Sequence, residues 1–466
     1  MKRIFMLVVL FTLVFTLSAC LTGGTGRGDV VVDIPDEIPA DMEIELVLWT
    51  AFGQANSELI DEMFESFQAM YPNITLTQTG QGNYNNLRET MIHAIAAGAT
   101  PTMMFGYPDH FAGYINGNAL VPLNDYIEHD VHGVNLDDYV AGFIAENSQF
   151  GGTLFSMPFA KSTEMIAYNK TVFDYHGIDL MNRTHAITWD ELDDWADIIV
   201  GDGEMQCEFL FNADSSSNFF INTSRQWQAG YTNTDGEILV DNQQTRDMLQ
   251  YFQDRFATNT VVFPIEWDQD YGSNNFIAGD VCMTQGSTAG TRYNIPTPGN
   301  AADGKFGAFE LGIVPVVQRA NCPLDPNATD IPENCSAMQQ GPNIAISSDA
   351  NDYERLAAWL FIRHMTSPEN TRFFAQNTGY VPVRVSAFES PEYQAFLNTT
   401  DPDELPFAMA GRAAYQQVNF YRFDPAFTGN VTSARARLEA GQLFEAIFNG
   451  DDINERLQVM INRLSP

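Results

Sequence analysis

The chain has 466 residues, of which 60 are acidic and 23 are lysine or arginine, so its formal net charge is −37. Nucleic acid and anionic membrane surfaces are poor partners for so negative a protein, because both repel it. Hydrophobic residues make up 45% and aromatic residues 12% of the chain. This composition excludes a disordered protein, and the length suffices for two domains.

The N-terminus has the layout of a secretory signal. Lys2 and Arg3 precede an apolar stretch of 14 residues, which is shorter than the roughly 20 residues that cross a bilayer. The following "LSAC" resembles the bacterial lipobox, in which the cysteine receives the lipid and becomes the new N-terminus. We therefore expect residues 1–20 to be a lipoprotein signal peptide with Cys20 lipidated, and residues 21–43 to be a flexible acidic linker. The alternative is an ordinary signal cut near Ala19, with Cys20 incidental.

Beyond residue 43 the predicted elements alternate between strands and helices. The spacing of apolar residues predicts strands at 44–50, 73–80 and 102–107. It also predicts three helices, one that ends at Pro72, one that ends near Gly98 and one over 110–127. Such alternation is typical of a parallel sheet with helices on its faces, in which ligands bind near the carboxyl ends of the strands. Trp49, Tyr84 and Asp109 lie near those ends and are candidate ligand contacts.

The second half of the chain follows a similar but less regular pattern. A capping box formed by Thr188 and Glu191 begins one predicted helix, and "NNFIAGDVCMTQG" predicts a helical turn leading into a strand. Four further helices are predicted at 352–365, 367–380, 433–450 and 451–464.

Four cysteines remain once Cys20 is set aside. An even number in an exported chain favours two disulfides, with three possible connectivities. Cys322 and Cys335 bracket a loop rich in proline and asparagine, which they most simply close, and Cys207 then pairs with Cys282. No C-x-x-C, H-E-x-x-H or P-loop motif occurs, so we expect no metal site and no cofactor.

Six stretches in order resemble the extracytoplasmic solute-binding proteins of ABC importers, carbohydrate-binding family (family 1). They span most of residues 44–455 and read "GQGNYNNL", "LFSMPFAKSTEMIAYNKTVFDYHGI", "TWDEL", "FIAGDVCMTQGS", "MTSPENTRFFAQNTGYVPVR" and "EAIFNGDD". Within that family, the chain is most similar to the glycerol-3-phosphate-binding component.

The resemblance implies an α/β fold of two lobes (type II-like), each a mostly parallel sheet flanked by helices, with the ligand cleft between them. We expect lobe one at 44–157 plus 290–347, and lobe two at 158–289 plus 348–466. The implied protein is a monomer, lipid-anchored at the outer face of the cytoplasmic membrane or on the periplasmic side. It would deliver a sugar, an oligosaccharide or a glycerol-phosphate-type polyol to an ABC permease.

The resemblance also implies ligand-binding residues, although each could instead serve packing or the surface. They are Tyr84, Ser162, Ser287, Gly341, Tyr380 and one of Arg435 and Arg437. The two arginines are two residues apart, so they point to different sides of a helix and only one can face the cleft.

Two departures from the family pattern bear on the solute. The glutamate that takes glycerol hydroxyls falls on Pro108, with Asp109 next to it, and "NADSSSN" stands where the glycerol-3-phosphate binder has tryptophans. A neutral sugar or oligosaccharide is therefore at least as well supported as glycerol 3-phosphate.

The alternative from another class is a secreted, lipid-anchored hydrolase acting on glycans. Such an enzyme needs two carboxylates at a set separation, and in so acidic a chain adjacent pairs such as Asp193–Asp194 are expected from composition alone. No nucleophile-elbow or other catalytic motif occurs. We therefore expect a binding protein and not an enzyme.

The lipobox can be tested by changing Cys20 to Ser. Without the acceptor thiol no lipid can be attached, so the variant should leave the membrane pellet and appear in the soluble exported fraction. Fractionation followed by immunoblotting measures this. A variant that stays in the membrane pellet would refute the lipobox assignment.

Overall fold

The structure is a computed structural model that describes residues 30–233, 235–427 and 432–465. The predicted signal peptide, Cys20 and the start of the linker lie outside the described residues. The strands are β1 (Ile44–Thr50), β2 (Ile74–Gly80), β3 (Met103–Gly106), β4 (Ser156–Pro158), β5 (Ser162–Asn169), β6 (Phe209–Ala213), β7 (Val261–Val262), β8 (Val281–Ser287), β9 (Leu311–Val314), β10 (Ala337–Gln340), β11 (Asn343–Ile346) and β12 (Tyr421–Arg422).

The helices come from every part of the described chain. They are α1 (Gln54–Gln68), α2 (Tyr84–Ala97), α3 (Pro108–Asn116), α4 (Asn124–Ile127), α5 (Ala141–Asn147), α6 (Lys170–Tyr175), α7 (Trp189–Ile199), α8 (Ser216–Gln226), α9 (Gln243–Phe256), α10 (Ser273–Ala278), α11 (Asp352–Met365), α12 (Pro368–Thr378), α13 (Val385–Phe388), α14 (Pro391–Leu397), α15 (Leu405–Gln416), α16 (Ser433–Phe448) and α17 (Ile453–Leu464). A 3₁₀ helix at Thr288–Asn294 follows β8 directly. None of the described helices has both the length and the apolar character needed to cross a membrane.

The strands form two sheets. Sheet one has the order β2-β1-β3-β11-β4, with β1 parallel to β2 and β3, and with β11 antiparallel to β3 and β4. Sheet two has the order β12-β10-β5-β8-β6-β7, and β9 also pairs with β5. The predicted two-lobe α/β architecture is therefore present. Both sheets are mixed rather than mostly parallel, because β5 and β11, which follow the crossings between lobes, run antiparallel to their neighbours.

The sheets divide the chain differently from the predicted lobes. Strands β9 and β10, predicted to belong to lobe one, pair with β5 in sheet two. Helices α11 and α12, predicted to belong to lobe two, bury Trp359 and Phe374 in the core of sheet one. The reason is that β11 completes sheet one and the helices after it cover that sheet. The second crossing therefore lies between β10 and β11, at about residue 341, and not near residue 290.

The prediction of one continuous helix over 110–127 is wrong, because the chain leaves the helical conformation between α3 and α4. Helix α3 ends at Asn116, and Asn118 has a φ of 49°, a left-handed conformation that does not continue a helix. The four-residue helix α4 begins only at Asn124. The capping box of α7 is confirmed, with Thr188 and Glu191 each bonded to the other's backbone N–H.

Both predicted disulfides are confirmed. Cys207–Cys282 joins residues 75 apart in the chain, and both sulfurs lie in the core of sheet two. Cys322–Cys335 joins residues 13 apart and closes the loop between β9 and β10. The two bonds therefore constrain unfolded-chain loops of very different length.

Removing each disulfide separately should give unequal losses. By the chain-entropy argument, the 13-residue loop contributes about 3 kcal/mol and the 75-residue loop about 4.5 kcal/mol to the free energy of unfolding. The double variant Cys207→Ser/Cys282→Ser should therefore lose more stability in urea titrations than Cys322→Ser/Cys335→Ser. Equal losses, or a larger loss for Cys322→Ser/Cys335→Ser, would contradict the chain-entropy argument.

Candidate ligand-binding cleft

Lys161 lies where the chain passes from sheet one into sheet two. Its side chain is fully buried, and Nζ lies 2.5 Å from Glu146 Oε2 and donates to Gly341 O at 2.8 Å. Gly341 belongs to the second crossing, between β10 and β11. Val381, in the segment after α12, donates its N–H to Lys161 O at 2.8 Å. One residue thus binds α5 and two further chain segments together at the junction of the two lobes.

Gly341 owes its identity to this crossing. Its φ is 90°, and a Cβ at this position would lie 2.0 Å from Ala160 O. No other residue fits so close an approach of two backbone segments. The family resemblance gives this glycine a contact with the ligand, whereas the structure explains it by strand crossing.

Aromatic side chains form the lobe-one wall of the cleft. The rings of Tyr84 and Tyr107 meet edge to face with their centroids 4.8 Å apart. Tyr380 stacks on Phe374 at 5.6 Å and meets Phe52 at 5.9 Å. Burial raises the pKa of Tyr84, and the neighbouring Tyr380 and Tyr107 add to that effect. These hydroxyls therefore remain protonated and able to donate, and the buried Tyr84 Oη has no hydrogen-bond partner among the described residues.

A chain of polar side chains forms the lobe-two wall. Glu164 on β5 accepts hydrogen bonds from Asn218 Nδ2 and Gln285 Nε2, each at 3.0 Å. Arg437 on α16 donates to the Oδ1 atom of the same Asn218 and lies 3.4 Å from Asp424 Oδ2. The segment "NADSSSN", which departs from the family pattern, thus supplies Asn218 to the cleft. It also supplies Asp214, which accepts from Gly272 N at 2.8 Å.

The two walls meet where α3 of lobe one contacts α16 of lobe two. Burial lowers the pKa of Arg437, but the carboxylates of Asp424 and Asp109 outweigh burial and raise it overall. Asp109 lies in the first turn of α3. Asp109 and Arg437 therefore lie on the two helices that meet here, an acceptor on lobe one and a donor on lobe two.

The two candidate arginines differ in their surroundings. Arg437 reaches Asn218 and Asp424, whereas Arg435 is exposed and its backbone N–H donates to the Thr432 cap. A helix places residues two apart on different sides, and the packing of α16 against α8 decides the side.

The remaining predicted contact residues differ in whether they lie beside the polar groups of the cleft. Ser287 Oγ donates to Ser162 Oγ at 3.2 Å, beside Glu164, whose backbone pairs with that of Ser287. Trp49 packs in the apolar cluster between sheet one and helices α2 and α3, and no described contact joins it to the polar groups of the cleft. Its position at a strand end therefore reflects packing in this structure.

Several cleft residues were not singled out as contacts in the sequence. Tyr107 and Asp424 lie in none of the family stretches, whereas Glu164 lies within one of them and Asn218 ends "NADSSSN" without being marked as a contact. Position after a strand end could have suggested Tyr107, which follows β3 by one residue. The others come together only through the pairing of β5 with β8 and the packing of α8 on α16.

Burial also changes the acidity of the carboxyl groups in lobe two. It raises the pKa of Glu164 from 4.5 to about 7, although the bond from Asn218 and the charge of Arg437 oppose it. It raises the pKa of Asp214 and of Asp424 to about 6 in each case. The wall therefore offers several acceptors beside the cation of Arg437. Among the described residues no group of acids, histidines and cysteines is arranged to hold a metal ion.

Two α/β lobes joined by crossing strands, with aromatic and polar groups facing inward from both, define a solute-binding protein. The family model "Bacterial extracellular solute-binding protein" matches residues 62–400. The chain belongs to this family, as its sequence segments predicted.

Known relatives agree with the family. The sn-glycerol-3-phosphate-binding periplasmic protein UgpB of Agrobacterium fabrum is 22% identical over 370 residues, which cover 78% of this chain and 79% of that protein. The structure of UgpB from Mycobacterium tuberculosis in complex with glycerophosphocholine has a TM-score of 0.71 at 21% identity, covering 90% of this chain and 97% of that one. Maltose-bound T. maritima MalE3 has a TM-score of 0.66 at 15% identity, covering 90% and 99%. None of these three is a hydrolase, so they lend that alternative no support.

The pKa of Glu164 predicts a specific pH dependence of stability. Between pH 4.5 and about 7 the folded protein holds a proton at Glu164 that the unfolded chain has released. Raising the pH through this window therefore lowers the free energy of unfolding, by on the order of 3 kcal/mol for this group. Glu164→Gln should not show that loss in urea titrations, although Asp214 and Asp424 still contribute theirs.

The matched control for this test is Glu62→Gln, at an exposed position on α1. Its unfolding free energy should change with pH as that of the wild type does. Identical pH profiles for wild type and Glu164→Gln would show that Glu164 does not titrate in this way.

Proposed function

We propose that this protein captures a neutral polyhydroxylated solute, a sugar or an oligosaccharide, and delivers it to the permease of an ABC importer. Signal export and lipidation of Cys20 would hold it at the outer face of the cytoplasmic membrane. Such a tether raises the local concentration of the binding protein near its permease without new contacts. One copy of the chain supplies both walls of the cleft, which supports action as a monomer.

One observation carries the choice of a neutral solute. The guanidinium of Arg437 already bonds to Asn218 and lies 3.4 Å from Asp424, and Asp109 and Glu164 add carboxyl groups around it. A phosphate would have to replace one of these partners of the guanidinium, next to the carboxyl groups of Asp109 and Asp424, which disfavours it. Sugar hydroxyls instead donate to carboxylates, and tyrosine rings such as Tyr84 and Tyr107 offer apolar faces to a pyranose ring.

A glycerol phosphate or glycerophosphodiester is the second candidate. Arg437 is a fork of donors suited to two phosphate oxygens, and it faces lobe one across the cleft. The UgpB relatives are named for glycerol 3-phosphate, and the mycobacterial structure holds glycerophosphocholine. For this solute, Arg437 would exchange Asp424 or Asn218 for the phosphate.

Calorimetric titration of maltose, a longer maltodextrin, glycerol 3-phosphate and glycerophosphocholine separates the two candidates. With a neutral sugar, Asp109→Ala should weaken binding at least tenfold, because it removes a charged acceptor for hydroxyls, worth about 1.5–3 kcal/mol. Arg437→Ala should weaken it less. Arg435→Ala is the matched control, because its side chain is exposed on the same helix, and it should leave the affinity unchanged.

The opposite pattern would overturn the neutral-sugar proposal. Tight binding of either phosphate compound, lost in Arg437→Ala and retained in Asp109→Ala, would assign the solute to the second candidate. Melting temperatures of all variants establish that each loss is a loss of binding and not of folding.

A further inference from the structure

Two buried polar atoms beside Arg437 have no hydrogen-bond partner among the described residues. They are the hydroxyl oxygen of Tyr231 and the Oδ1 atom of Asp424. Only 5% of the Tyr231 residue surface is exposed. A buried polar group without a partner destabilises the fold, so these two instances require an explanation.

The fold holds Tyr231 firmly in place. Its carbonyl oxygen accepts from Leu239 N at 2.8 Å, and its ring lies 6.2 Å from that of Phe220 in the core of sheet two. Burial raises the pKa of Tyr231, with Asp424 adding to the effect and Arg437 opposing it. The hydroxyl is therefore protonated at neutral pH and able to donate.

Asp424 is held just as firmly, but through its other oxygen. Its Oδ2 lies 3.4 Å from Arg437 Nη1, and the preceding residue, Phe423, accepts from Arg225 Nη2 at 2.6 Å. Gln149 of lobe one donates to the backbone oxygen of Asp424 at 3.4 Å. Oδ1 is thus the one carboxylate oxygen left to accept a bond, and no bond between it and Tyr231 is formed.

Tyr231 packs on Phe220 of α8, and the residue before Asp424 bonds to Arg225 of the same helix, yet the two side chains do not bond to each other. A donor and an acceptor held on one helix in this way suit a group that both accepts and donates. A hydroxyl group does both, whereas a phosphate oxygen at neutral pH only accepts and an ammonium only donates. We infer that Tyr231 and Asp424 form a hydroxyl-binding subsite, in which a solute hydroxyl accepts from Tyr231 Oη and donates to Asp424 Oδ1. This rests on the proposed function, and it applies to a sugar hydroxyl or to a glycerol hydroxyl alike.

Tyr231→Phe tests the subsite, because it removes the donor and leaves the ring. The probe is whichever of maltose, the maltodextrin, glycerol 3-phosphate and glycerophosphocholine binds the wild type most tightly by calorimetry. Its dissociation constant should rise about five- to twentyfold, the loss expected for one hydrogen bond with an orphaned partner. The melting temperature should not fall below that of the wild type, since the hydroxyl has no protein partner.

Tyr126→Phe is the matched control. Its hydroxyl is also buried without a partner, but it lies in the core of sheet one, where its ring is 5.7 Å from that of Trp359. This variant should bind the probe as the wild type does.

The outcomes separate this inference from the proposal on which it rests. Unchanged affinity in Tyr231→Phe, with the wild type binding normally, overturns the subsite alone and leaves the solute-binding function standing. A wild type that binds none of the four solutes contradicts the proposed solute class, and the subsite with it. An equal loss in Tyr126→Phe and Tyr231→Phe would show a general effect on folding and would also overturn the subsite.

Discussion

The buried ion pair between Lys161 and Glu146 anchors the junction between the two lobes. A charge taken out of water is costly unless it is paired and hydrogen-bonded, and Lys161 satisfies this requirement with Glu146, at 2.5 Å, and with the carbonyl oxygen of Gly341. Its own carbonyl oxygen accepts from Val381. Helix α5, the second crossing and the segment after α12 are therefore tied to one residue at the first crossing.

The cleft that results is rich in acceptors and poor in free cations. Burial raises the pKa of Glu164, Asp214 and Asp424 because their charged forms lose water. A solute that donates hydroxyl hydrogens replaces that water, whereas an anion must displace a partner of Arg437 first. The surrounding acids therefore disfavour an anionic solute. The aromatic wall around Tyr84 favours a ring or chain that carries hydroxyls.

Local patterns predicted the elements of the first lobe well, since β1, α1, β2, α2 and β3 each carry their own periodicity and end signals. The division into lobes could not be predicted in the same way. Strands β9, β10 and β11 are four residues long, and nothing in so short a segment states which sheet it joins. Packing between distant segments also decides which side of α16 faces the cleft. The choice of Arg437 over Arg435 follows from that packing. Glu164, Tyr231 and Asp424 come together only in the folded chain.

The central claim is that a solute binds between the lobes, with both walls in contact with it. A crystal structure of the protein with the tightest-binding member of the solute panel tests this most directly. The account predicts one solute molecule that contacts Tyr84 or Asp109 from lobe one and Asn218 or Arg437 from lobe two, with the Lys161–Glu146 contact retained. A solute bound to one lobe alone, or to a surface groove outside the cleft, would contradict it.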